Sequence, residues 1–143
     1  MTIEEEIEHM ETTLLLCDFA QAVGGKLYIL GGGWTICTSG PTNLALAIKV
    51  LVPWSMATEK HKLKLTLADG NGKPIAIGEP PTQIMSEGEF EVGIPPGTPK
   101  GTPLDFAIAI NFLGLPLIPE TKYRWQLEIN GEAIAGVSFR TLK

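Results

Sequence analysis

From Thr13 onward, apolar and polar positions alternate with a period of two. The rhythm is clearest where Leu63, Leu65 and Leu67 interleave with Lys62, Lys64 and Thr66, and where Tyr123, Trp125, Leu127 and Ile129 interleave with Arg124, Gln126 and Glu128. Successive side chains on an extended backbone point to opposite faces, so each run has one greasy and one wet face. Leu44, Leu46, Ile48, Val50 and Val52 form a third apolar stripe, and Phe106, Ile108, Ile110 and Phe112 a fourth, backed by Ala107 and Ala109. Strands are expected near 13–20, 26–37, 43–52, 61–68, 73–77, 88–93, 104–112, 121–129 and 133–141, with turn residues between nearly all of them. Two sheets packed face to face would absorb these stripes. The expected fold is therefore all-β, a single immunoglobulin-like antiparallel β-sandwich over residues 13–143.

The punctuation agrees. Asp69-Gly70-Asn71-Gly72 and Asn130-Gly131 supply residues that accept positive φ, as tight hairpins require. Residues 53–59, with Pro53 leading, suit a single helical turn. Between Gly93 and Pro103, four prolines stiffen the backbone, and Gly97-Thr98-Pro99 recurs as Gly101-Thr102-Pro103. This segment reads as a surface crossover between sheets, with Pro95, Pro96 and Pro99 as candidates for docking in an aromatic groove.

Residues 1–12 follow another period. Thr2-Ile3-Glu4-Glu5 has the form of a capping box, and Ile3, Ile7 and Met10 fall at helical spacing. A short amphipathic helical arm is expected, too short to persist alone, so its stripe docks on its own body or on a partner, or the arm frays.

Composition narrows the function. The 143 residues suit one domain, and 16 Gly with 11 Pro suit many turns between short elements. Net charge is −5, but Glu4, Glu5, Glu6, Glu8 and Glu11 stand in the arm, which leaves the body neutral. Lys60, Lys62 and Lys64 alone approach a basic cluster, so neither nucleic acid nor an anionic membrane is an expected partner. The acidic start lacks the form of an export signal and no long apolar run follows, so a cytoplasmic protein, or a part of an intracellularly assembled particle, is expected.

Candidate chemistry is sparse. Cys17 and Cys37 are too few for a zinc site, so two free thiols are expected, with no metal and no cofactor. Gly31-Gly32-Gly33 leads into more strand rather than a helix, which suits a bulge or bend and not a phosphate loop. His9 and His61 stand beside no candidate nucleophile, and Ser39, Ser55, Ser86 and Ser138 lack the Gly-x-Ser-x-Gly elbow. Glu87, Glu89 and Glu91 share one face of a strand, as a solvated face would. No catalytic residue is assigned, and the chain is read as a non-enzyme. Trp125 belongs to a core stripe, whereas Trp34 and Trp54 stand outside the stripes and are candidate contact residues.

Leu117-Ile118-Pro119-Glu120-Thr121-Lys122-Tyr123 resembles the tyrosine corner of fibronectin type III sandwiches, with Glu120 in place of the usual glycine. By that resemblance the Tyr123 hydroxyl makes a structural bond to upstream backbone. Leu-Leu-Cys-Asp-Phe-Ala at 15–20, Gly-Lys-Leu-Tyr-Ile-Leu-Gly-Gly-Gly-Trp at 25–34, Val-Pro-Trp at 52–54, Glu-Phe-Glu-Val-Gly-Ile-Pro-Pro-Gly at 89–97 and Tyr-Arg-Trp at 123–125 resemble a family of small bacterial proteins of uncharacterised function. That resemblance implies a compact β domain without assigned catalytic residues.

The expected role is a protein-interaction or assembly module engaging a protein partner or another copy of itself, such as an accessory or decoration subunit of a bacterial or phage assembly. The candidate contact residues are Ile3, Ile7, Met10, Trp34, Trp54, Pro95, Pro96 and Pro99. The alternative is a small-ligand or carbohydrate-binding module in which Trp34, Trp54 and the glycine run line a shallow site.

Overall fold

The structure, a computed structural model, describes residues 9–143. Eleven strands follow in order: β1 (Glu11–Val23), β2 (Lys26–Gly32), β3 (Ile36–Cys37), β4 (Gly40–Val52), β5 (His61–Asp69), β6 (Ala76–Ile77), β7 (Thr82–Gln83), β8 (Met85–Phe90), β9 (Leu104–Leu117), β10 (Lys122–Ile129) and β11 (Glu132–Thr141). A four-stranded sheet has the order β2-β1-β4-β9, a five-stranded sheet the order β3-β11-β10-β5-β8, and β6 and β7 make a small ribbon. Pairing is antiparallel apart from β3, which runs parallel to β11. The chain is an all-β sandwich, and β1-β4-β9 against β11-β10-β5-β8 gives it the strand order of an immunoglobulin-like fold.

The apolar stripes meet between the sheets. Leu46, Ile48, Leu65, Leu67, Trp125 and Leu127 are fully buried there. Stacked rings join the layers: Phe112 on Trp125 at 4.7 Å between centroids, and Phe90 on Phe106 at 4.1 Å. The Tyr123 hydroxyl accepts a hydrogen bond from the Ile118 amide at 2.9 Å, closing the turn between β9 and β10.

Several strand bounds differ from expectation: β6 covers only Ala76–Ile77 of the stretch 73–77, β8 runs Met85–Phe90 rather than 88–93, and β7 lies outside the expected strands. The stretch 26–37 divides into two strands because Gly31 (φ 58°) and Gly33 (φ 91°) turn the chain out of one sheet and into the other. The strand expected from residue 13 starts at Glu11, two residues inside the segment read as the arm, and runs on to Val23. Residues 53–59 hold a single 3-10 turn, Trp54–Met56. Residues 91–103 cross from β8 to β9, from one sheet to the other. Their repeat becomes two successive turns: Thr98 donates its amide to the Pro95 carbonyl and Thr102 to that of Pro99, with Gly97 and Gly101 at φ 87° and 90°. Among the described residues, no helix is long and apolar enough to cross a membrane.

β4 is covered on both sides from Leu44 to Ile48. Its inward Leu and Ile side chains meet the five-stranded sheet, while Ala45 and Ala47 on the reverse form a second small core with Cys17 and Ala20, against which Leu15, Leu27 and Ala109 pack. The far half of β1 and its partner β2 thus fold over the outer face of their own sheet. Short side chains beneath them permit that close approach.

Candidate functional site

Gly24 and Gly25, at φ 59° and 76°, form the two-residue turn that joins β1 to β2. Positive φ at both positions matches the twist of the flanking strands, which fixes the register. Phe19 stands opposite Leu30, Gln21 opposite Tyr28 and Val23 opposite Lys26 on one face; Ala20 opposes Ile29 and Ala22 opposes Leu27 on the other. Ala20 and Leu27 of this second face pack on the small core, while Ala22 and Ile29 remain exposed. Asn111 of β9 fastens the hairpin there, donating from Nδ2 to the Ala20 carbonyl at 2.9 Å and accepting the Ala20 amide on Oδ1 at 3.3 Å.

The opposite face is left open. Phe19, Val23, Tyr28 and Leu30 are 47%, 51%, 56% and 66% exposed. Single exposed apolar side chains are ordinary, but here four large ones share one face of a hairpin, Phe19 directly opposite Leu30, with Gln21 and Lys26 between them, and a grouping of this kind marks an interaction surface. Sequence reasoning missed it. The available signal was Leu27-Tyr28-Ile29-Leu30, an apolar run without alternation, which implies a strand to be covered on both faces.

The expected contact residues fall in separate places. Trp34 is half-buried at the crossing between the sheets, its Nε1 donating to Asp18 Oδ1 at 3.1 Å and its ring set edge-on to Phe139 at 6.1 Å. A Cβ at Gly31 would collide with the Asp18 carboxylate, so the glycine makes room for this latch. Trp54 is half-buried in the 3-10 turn, next to the His61 end of β5, whereas Trp34 reaches Phe139 near the Asp69 end. The two tryptophans therefore lie at opposite ends of the five-stranded sheet and do not line a common hollow. Pro95, Pro96 and Pro99 are exposed on the crossover. Met10 is half-buried against the main core, and Ile3 and Ile7 lie outside the described residues.

His61 and Cys17 are buried, and Cys37 is half-buried. In His61, Nε2 donates to the Met56 carbonyl at 2.9 Å and Nδ1 accepts from Asn130 Nδ2 at 3.0 Å, roles set by those neighbours. Burial pushes the Cys17 thiol up from its ordinary value, with Asp18 adding to the rise, and burial does the same to Cys37. A protonated thiol is a poor nucleophile. Both cysteines are free, Cys17 in the four-stranded sheet and Cys37 in the five-stranded one. Among the described residues, no three His, Cys, Asp or Glu side chains gather as metal ligands would.

An open depression of about 430 Å³ lies on the outer face of the five-stranded sheet, lined by Lys62, Lys64, Glu87, Glu89 and Glu128. Lys62 stands opposite Glu89, and Lys64 stands between Glu87 and Glu128. Opposite charges placed across strands in this way favour the observed register.

Together these features define an immunoglobulin-like β-sandwich in which His61 and Cys17 are buried and the outward face of the β1–β2 hairpin is uncovered. The chain belongs to DUF6941, a family of unknown function, whose model matches residues 12–141. No curated protein matches it. It is similar to a solved structure, the Pseudomonas fluorescens alkylpurine DNA glycosylase AlkC bound to DNA containing an abasic site analog. That likeness has a TM-score of 0.48 and 10% identity, over 76% of this chain and 28% of that one. The chain thus spans less than a third of that protein, and so remote a likeness carries no argument about what this chain binds.

Proposed function

We propose that this chain is a non-enzymatic protein-interaction or assembly module, and that the outward face of the β1–β2 hairpin is its contact surface. The exposure of Phe19, Val23, Tyr28 and Leu30 on one face is the observation that carries this reading. Burying such side chains against a partner returns about 25 cal/mol for each Å² of apolar surface removed from water. The Asn111 bonds hold the hairpin in one conformation, which lowers the ordering cost of association. A role as an accessory or decoration subunit of a larger bacterial or phage assembly fits a small sandwich with an uncovered apolar face.

The test compares the native chain with a Phe19→Glu, Leu30→Glu double variant in the native host, with thermal unfolding as the check on folding. A partner held in fixed stoichiometry by the native chain and lost from the folded variant supports the reading. An unchanged complement of bound protein contradicts it.

A further inference from the structure

The two sheets end in four edge strands, and three of them are blunted. β3 has two residues, β8 has six and carries Glu87 and Glu89, and β2 carries Lys26 and is kinked at Gly31. Short, charged or kinked edges resist pairing with another chain. β9 is different. It runs for 14 residues and has no strand partner on its far side among the described residues. Between Leu104 and Phe112 its one charged residue is Asp105, which is already paired with Lys49 at 3.3 Å. Pro103 precedes this stretch, and Gly114 (φ 64°) and Pro116 follow it. Phe106, Ile108 and Ile110 are half-buried and line a slot of about 60 Å³ with Leu63 and Phe90 and, along its β8 rim, Ser86, Glu87 and Glu89, on the open flank between β9 and β8.

We propose that this edge is a self-association surface, at which two copies pair β9 with β9 antiparallel about a two-fold axis through Ile108. The proposal does not need the outward hairpin face to bind anything, although Asn111 of this edge also fastens the hairpin through Ala20. Its warrant is a symmetry in the strand's own chemistry. With Ile108 opposite its counterpart, Ala107 meets Ala109 of the second copy, Phe106 meets Ile110, Asp105 meets Asn111 and Leu104 meets Phe112. Each residue finds one of its own class, and no like charges face each other. Pairing over these nine residues spans about 30 Å, satisfies the outward backbone groups of both edges and makes one continuous eight-stranded sheet. The flank slot of each copy is then extended by Phe106, Ile108 and Ile110 of the other.

Sedimentation of the full chain across a wide concentration range is expected to show twice the 15.4 kDa monomer mass. Ile108→Lys sets two ammonium groups against each other at the axis and is expected to abolish the doubled mass while circular dichroism stays native. Since a lysine on this half-buried position can also disturb folding, Ile108→Cys provides an independent reading. Under mild oxidation it is expected to form a covalent dimer, whereas the native chain and Leu113→Cys, which does not meet itself in this register, do not. A monomer at every concentration overturns the proposal, as does a dimer that a folded Ile108→Lys variant retains. Failure of Ile108→Cys to link above the Leu113→Cys control also overturns it. The hairpin variant Phe19→Glu is expected to leave the dimer intact, so the two surfaces are tested separately.

Discussion

The hairpins β1–β2 and β10–β11 are built alike and end differently. Each turns on two residues with positive φ, Gly24-Gly25 in one and Asn130-Gly131 in the other, and each presents large apolar side chains on one face. In β10 those side chains, Tyr123, Trp125, Leu127 and Ile129, are sealed beneath the opposite sheet. In the first hairpin, Phe19, Val23, Tyr28 and Leu30 face away from the molecule, because the face of Ala20 and Leu27 is the one that docks. Alternation sorts side chains between faces; what lies across from each face decides whether the apolar one is core or surface.

The largest expected effect lies on the sealed side of this comparison. Trp125→Ala should cost about 3–5 kcal/mol in urea unfolding, as removal of a buried aromatic does, while Leu30→Ala should stay within about 0.5 kcal/mol. A comparable loss at Leu30 would mean that the hairpin face is part of the core. Gly31→Ala comes next. It places a Cβ at φ 58° and against the Asp18 carboxylate, for an expected loss of about 1–3 kcal/mol. A change in Trp34 fluorescence should accompany it, because Asp18 holds the indole nitrogen.

Asn111→Ala asks whether the hairpin is fastened or merely adjacent. Losing both bonds to Ala20 should cost about 1–2 kcal/mol, with faster hydrogen exchange at the Ala20 amide. Unchanged exchange there would deny the fastening. The smallest effect is a pH dependence. Burial raises both thiols above their ordinary value of 9.0, so the folded chain holds protons that the unfolded chain releases. This contribution is complete below that pH and is lost as pH rises through the raised folded values. Unfolding midpoints should therefore fall more steeply with alkaline pH in the native chain than in a Cys17→Ala, Cys37→Ala variant.

The stripes of β4, β5 and β10 were readable in the chain because each of those strands buries an apolar face against the other sheet. The crossover at 91–103 was readable because its prolines and glycines restrict the backbone directly. The hairpin was not. Leu27-Tyr28-Ile29-Leu30 is apolar on both faces, and sequence alone does not tell which face meets Ala45 and Ala47 and which meets nothing. Contact residues read from sequence follow residue type, so Trp34 stands out for its ring although a latch to Asp18 holds it at the sheet crossing. Edge position was equally hidden: the stripe of β9 has the same rhythm as that of β4, and pairing across many residues decides that one strand is central and the other peripheral.

The most direct trial of the account is site-specific photo-crosslinking in the native host, with a photoreactive phenylalanine analogue at Tyr28 on the hairpin face or at Lys64 in the charged depression. A discrete protein adduct is expected from position 28 and none from position 64. Adducts from position 64 alone, or from neither position, would contradict it.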